Sequence, residues 1–227
     1  MGAGIGVLAA ACLIAQSGEI SGRVRVTASL TKKRISLPQV YERHAALPAP
    51  AGGPADMLGE LRRVVVYLEG PARPADAGKA VVARMDQKNR RFEPEVIAIP
   101  AGASVAFPNS DPIFHNVFSF SKARRFDLGN YGSGETRVVS FPEPGVVQLH
   151  CHLHPNMSGA ILVTPNRWHA QPGSDGMYVL RDVPPGRHTV TAWHKSAGWF
   201  RRQIQLPAGG TVVVDFDIPL PAEASLR

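Results

Sequence analysis

The sequence predicts an all-β fold. Short runs of alternating apolar and polar residues recur along the chain, and no long stretch repeats every 3.6 residues. The runs are separated by turn residues, with 22 glycines and 20 prolines in the chain. Hydrophobic residues fill 44% of the 227 positions, which supports a packed core in one large or two small domains.

The first segment in chain order is not a strand. Met1 to Ser17 carry no charge and contain the apolar run Ile5 to Ala15, with no Lys or Arg ahead of it. That run is too short to span a bilayer and has the length of a signal-peptide core. Ala15 and Ser17 place cleavage after Ser17, so residues 1–17 are expected to be a signal peptide. The expected location is the periplasm, with no transmembrane segment in the mature chain. A lipid anchor at Cys12, behind Ala9-Ala10-Ala11, is the alternative. Cleavage would leave Cys151 as a lone exported thiol, which calls for a chemical reason.

Ile20–Val26 and Arg63–Leu68 are the first two predicted strands. Between them, residues 31–61 read as a flexible insertion, because Leu47-Pro48-Ala49-Pro50-Ala51-Gly52-Gly53-Pro54 cannot hold a regular element. Predicted strands follow at Ala80–Met85, Glu95–Ile99, Ser104–Phe107, Asn116–Ser119, Thr136–Phe141, Val146–Cys151 and Ala160–Val163. Asp127 to Glu135, with three glycines, reads as a loop. Val147, Leu149 and Cys151 share one strand face, which puts the thiol on the core side. Beyond Pro165, Asp175–Gly186 and His188–Trp193 read as strand, tight turn and strand. Arg201–Leu206 and Val212–Ile218 read as two more strands.

Chemistry concentrates in Leu149-His150-Cys151-His152-Leu153-His154-Pro155-Asn156-Met157. Cys151 is followed three residues later by an imidazole and three later again by a thioether. Phe114-His115-Asn116-Val117 supplies a second imidazole from another strand. Each residue alone has an ordinary reading: His115 as a satisfied strand histidine, Met157 as core filler, Cys151 as a small buried hydrophobe. Together, two His, one Cys and a distant Met form the ligand set of a mononuclear blue-copper electron-transfer site. Thiolate and thioether suit Cu(I), imidazole suits Cu(II), and the mixed set tolerates both. Pro155 stiffens the loop that carries three of the four ligands.

Other metals and centres fit less well. Zinc takes Cys and His, but Met is a poor zinc ligand and no second Cys pair is present. A Cys-bridged binuclear copper centre needs two thiols at the site. His150-Cys151-His152 matches a triplet found in multicopper oxidases, but the further His-x-His pairs of a trinuclear cluster are missing. The remaining histidines, His44, His169, His188 and His194, form no such pair. On its strand His150 points away from Cys151, and His152 lies in the loop toward solvent.

At these residues the chain resembles the cupredoxins, and within them the short-loop, amicyanin-like branch. Cys151-x-x-His154-Pro155-x-Met157 has that branch's spacing. Gly102-Ala103-Ser104-Val105-Ala106-Phe107-Pro108-Asn109, followed by His115-Asn116-Val117, looks like the family's strand leading to its first His ligand. The resemblance covers about residues 80–165 and implies a Greek-key β-sandwich holding one mononuclear type 1 copper through His115, Cys151, His154 and Met157. It also implies that Asn116 ties the two ligand loops together and that His154, near the surface, passes the electron.

A second resemblance lies in the C-terminal part. Gly176, Tyr178, Leu180, Val183, Pro184, Pro185, Gly186, Thr189, Val190 and Ala192 match a carboxypeptidase regulatory-like, transthyretin-like β-sandwich. Residues 166–220 are too short to bury a sandwich core alone. Gly18–Val24 and Val64–Leu68 look like the first two strands of that family. The expected organisation is therefore a copper domain at 80–165 inserted into a smaller, discontinuous domain made of 18–76 and 166–220. The alternative is that the early strands extend the copper sandwich.

The formal net charge is +7, with 25 Lys and Arg against 18 Asp and Glu, and the basic pairs are scattered along the chain. The pairs lack the aromatic interleaving of a nucleic-acid surface, so nucleic acid is not an expected partner. A solvated basic face can steer the chain toward acidic protein redox partners. The expected function is one-electron transfer between such partners, without enzymatic turnover. The alternative is a copper carrier or sensor with a partner-binding second domain. A carrier favours open, Met-rich sites, and only Met157 is near this one.

Overall fold

The computed structural model describes residues 16–27, 54–70 and 82–218. Residues 1–15 of the expected signal peptide, including Cys12, most of the 31–61 stretch and all of 71–80 fall outside these residues.

Regular structure in the described chain is strand apart from one short helix. It begins with β1 (Gly18–Val26), one short helix α1 (Pro54–Leu61) and β2 (Val64–Leu68). Then come β3 (Val82–Arg84), β4 (Asp86–Lys88), β5 (Arg91–Glu93), β6 (Val96–Pro100), β7 (Ser104–Pro108), β8 (His115–Ser121) and β9 (Arg124–Tyr131). β10 (Thr136–Ser140), β11 (Gly145–His150) and β12 (Ser158–Thr164) complete the middle of the chain. The last elements are β13 (His169–Ala170), β14 (Met177–Val183), β15 (Gly186–His194), β16 (Gly198–Leu206), β17 (Thr211–Val213) and β18 (Phe216–Ile218).

The strands stack in four layers. Sheet β10-β7-β3 faces the five-stranded sheet β6-β12-β11-β8-β9 across a core that includes Phe92, Val105, Phe107, Phe141, Leu149 and Ile161. Sheet β13-β2-β15-β16 faces β14-β1-β17, with β18 also on β1, across Ile20, Val24, Leu68, Leu180, Val190 and Phe216. A third apolar cluster joins the inner layers: Val65, Tyr67 and Trp193 meet Val96, Ala160 and Leu162.

This stacking explains two sequence runs that do not alternate. β2 reads Val-Val-Val-Tyr-Leu and every residue is buried. Val64, Val66 and Leu68 enter one core, while Val65 and Tyr67 enter the junction. In β12, Ile161 and Val163 face one core while Ala160 and Leu162 face the junction. A strand covered on both faces has no polar face to display. The junction also holds polar links: Glu95 pairs with Arg63 and Lys195, and Asn166 Nδ2 donates to Leu68 O. β1 pairs antiparallel with β14 and parallel with β17 and β18, so residues far apart in sequence share one sheet.

Four local expectations are corrected. The insertion expected to be flexible over 31–61 ends in helix α1, which lays Leu61 against the second core. The loop expected at Asp127–Glu135 is strand as far as Tyr131, because Gly129 at φ 65 absorbs the extra residue of a bulge and pairing with β8 continues. Residues 86–93 add a hairpin, β4–β5, where no strand was expected. Val212–Ile218 divides into β17 and β18 at Val214-Asp215, where Val214 N donates to Ser21 O and Asp215 Oδ1 accepts from Arg23 N.

Candidate metal centre

His115 opens β8, Cys151 directly follows β11, and the two strands pair through His150 and Phe118. That pairing brings the ends of two strands together from 36 residues apart in sequence. The loop from Cys151 to Met157 then turns, with Met157 N donating to His154 O, before β12 begins.

The donor atoms of His115, Cys151 and His154 lie within 4.8 Å of one another. Nδ1 of His115 is 4.0 Å and Nδ1 of His154 is 3.7 Å from Cys151 Sγ. A first-row ion about 2.3 Å from sulfur and about 2.0–2.1 Å from nitrogen, in a trigonal plane, holds S and N about 3.8 Å apart. The observed separations bracket that value, so the three donors fit one small ion. Met157 is buried in the same core as Cys151. Of the described residues, these three form the one His/Cys/Asp/Glu group spaced to hold a metal. His169, His188 and His194 bond elsewhere, to Thr164, to Pro184 O and to Glu60.

The supports around the donors are polar, and Asn116 at their centre is buried. Asn116 N donates to Cys151 Sγ at 3.4 Å, and Asn116 Oδ1 accepts from His152 N at 3.4 Å. The residue after His115 therefore links both ligand loops. Its Nδ2 donates to Asp127 Oδ1 at 2.6 Å, and that oxygen also accepts from Gly129 N. His152 is exposed, as its loop position suggested, but it stacks on Phe118 at 3.8 Å and reaches Asp127. His150 is exposed and Cys151 buried, as the strand alternation required.

Asp111 has no place in the sequence motifs. Its Oδ2 lies 2.7 Å from His115 Nε2, and its carboxylate also accepts from Asn89 N and Arg90 N. Burial would raise the Asp111 pKa, but these N–H groups and His115 outweigh it and hold the carboxyl below its ordinary range. The available signal was a carboxylate four residues before a candidate ligand, which is too common to single out. His154 is held below the ordinary histidine range, first by burial, with neighbouring His115 and Arg90 acting in the same direction against Asp111. A neutral imidazole is the form that binds metal.

His154 is half-buried, whereas His115, Cys151 and Met157 are buried. Ile113, Phe114 and Leu153, all exposed, are chain neighbours of the two imidazole donors.

No protein-family model matches the chain, and no curated protein matches it. Among solved structures it is similar to a Cu-containing nitrite reductase (NirK) from Thermus scotoductus SA-01, with 26% identity over 40% of this chain and a TM-score of 0.36. The chain spans 25% of that reductase's length. It is similar to a purple cupredoxin from Nitrosopumilus maritimus, with 24% identity over 36% of this chain and 99% of that one, at a TM-score of 0.34. A reduced amicyanin variant matches at 22% identity over 43% of this chain and 97% of that one, also at 0.34.

Proposed function

We propose that the chain is a one-electron carrier whose single mononuclear type 1 copper would be held by His115, Cys151, His154 and, weakly, Met157. The observation that carries this reading is the approach of two imidazole Nδ1 atoms to one buried thiol at 4.0 and 3.7 Å. Copper bound there supplies a Cu(II)/Cu(I) couple. The residues do the rest. One donor on β8 and a short loop pinned between β11 and β12 limit rearrangement as the electron arrives or leaves. Asn116 N–H to Sγ stabilises the thiolate, and the buried side of the site excludes water.

One electron enters from a reduced protein partner and leaves to an oxidised one. His154 is the donor nearest solvent, so exchange occurs at its edge. A four-donor set leaves no open position for substrate, which argues for a carrier rather than an enzyme. The basic surface favours acidic partners. Work outside the cytoplasm fits the apolar leader. Among the described residues no helix is long and apolar enough to cross a membrane.

Visible and electron spin resonance spectra of the copper-loaded protein test the assignment. An intense thiolate-to-copper band is expected, and Cys151→Ser should abolish it. A band that survives in the Ser variant, or never forms in the parent protein, defeats the reading.

A further inference from the structure

Asp111 connects two features that the electron-carrier reading leaves unused. One is the far nitrogen of His115. The other is the turn of the β4–β5 hairpin, where Asn89 and Arg90 both adopt φ 55. Left-handed backbone is unfavourable for non-glycine side chains and persists where the surroundings hold it. Here the turn aims two successive N–H groups at one carboxylate, at 2.7 and 2.8 Å. Backbone donors in such a turn form an anion-binding concavity.

With both backbone donors on its oxygens, Asp111 is the acceptor toward His115. An ionised carboxylate has no proton to give, so the hydrogen in the 2.7 Å contact sits on His115 Nε2. Nδ1, the nitrogen facing Cys151 Sγ, is then left with its lone pair free. Asp111 N itself donates to Asn109 Oδ1, and Asn109 Nδ2 donates to Ile113 O and Tyr131 O. The loop from 109 to 115 is therefore pinned at several points, and the carboxylate cannot swing away without breaking them.

We propose that Asp111 is a positioning residue of the metal centre: it locks His115 in the Nε2–H tautomer with Nδ1 turned to the thiolate, and its negative charge favours the oxidised metal. This rests on the copper reading only for its second half. The β4–β5 turn then acts as an outer support, holding the residue that holds the ligand. Carboxylate partners of metal-bound histidines raise ligand basicity, and their loss costs about 10–100-fold in metal affinity.

The test is Asp111→Asn in the full chain, read two ways. In metal-free protein, long-range nitrogen NMR of His115 should show Nε2–H alone in the parent and a tautomer mixture in the variant, since an amide can donate to Nε2. In copper-loaded protein, the variant should lose about 10–100-fold in Cu(II) affinity and much less in Cu(I) affinity. Asp111→Glu should recover part of that selectivity. A parent protein with Nδ1–H, an unchanged tautomer in the variant, or equal losses for both oxidation states overturns the proposal. If the variant does not fold, the parent tautomer decides. A parent that folds with Nε2–H but never gains the thiolate colour defeats the copper reading and leaves the tautomer lock standing.

Discussion

Lowering the pH should weaken the second strand set through a single buried histidine. His194, at the end of β15, is 0% exposed. Its Nδ1 accepts from Ser196 N at 3.1 Å and Ala197 N at 3.2 Å, so that nitrogen carries no hydrogen. Nε2 therefore carries it and donates to Glu60 Oε2 at 3.1 Å. A second proton has nowhere to go without displacing backbone donors. Burial first, and then the Arg63 charge, lower the His194 pKa from 6.5 to about 4, against the raising effect of Glu60 and Glu95. The unfolded chain thus binds one more proton than the folded chain between those two values. Stability is full above pH 6.5, falls as the pH drops, and stops falling from this cause below about 4. Lowering from 6.5 to about 4 corresponds to about 3 kcal/mol in total, of which about 2 kcal/mol is lost by pH 5. All three tryptophans, Trp168, Trp193 and Trp199, lie in the C-terminal part, so their fluorescence reports on the strands around His194. Urea unfolding of metal-free protein at pH 7 and pH 5 should show a midpoint drop of about 1 M. His194→Asn keeps an acceptor for the two backbone N–H groups and removes the titration. The parent-minus-variant difference cancels the other histidines and the carboxylates. A difference between the two pH values under about 0.5 kcal/mol would refute the reasoning, because it would mean His194 takes up its proton in place.

Met157→Leu should keep the thiolate colour and shift the reduction potential, since the axial bond is weak. Voltammetry showing an unmoved potential would remove Met157 from the ligand set. Gly22→Ala should destabilise by about 3 kcal/mol, the upper end for overpacking, because a Cβ there would collide with the Val214 carbonyl. Thermal unfolding unchanged within error would contradict that contact. Residues 78–165 expressed alone should fold and bind copper, but associate through the bared Val96, Ala160 and Leu162. An unfolded fragment would argue against a separable copper sandwich. Electron exchange with an acidic soluble cytochrome should slow as salt rises, and stopped-flow rates indifferent to ionic strength would remove the role given to the basic surface.

The legible part of the site was its local part. Cys151, His154 and Met157 lie within one seven-residue loop, and their spacing is readable without a fold. The all-β class was equally legible, because strand alternation and turn residues are local signals. Some misreadings were local too. Gly129 has the turn propensity of a loop residue but forms a bulge that lets β9 continue, and Pro54 ends a breaker-rich run yet opens α1.

What only the tertiary structure decided is distance between elements. The amino-acid sequence alone determined that the chain is β-rich and that it carries one loop with thiol, imidazole and thioether. It did not determine that β2 and β12 bury their second faces against each other's sheets, nor, within the expected grouping of 18–76 with 166–220, which strands pair, such as Gly18–Val26 with Met177–Val183. Asp111 shows the same limit. Its role depends on a turn at 89–90 and an imidazole at 115 meeting one carboxylate, and such convergence leaves no periodic trace in the chain. Side-chain pattern reports which face of an element is apolar. Which partner covers that face is settled by long-range packing and by the need to satisfy every buried polar group.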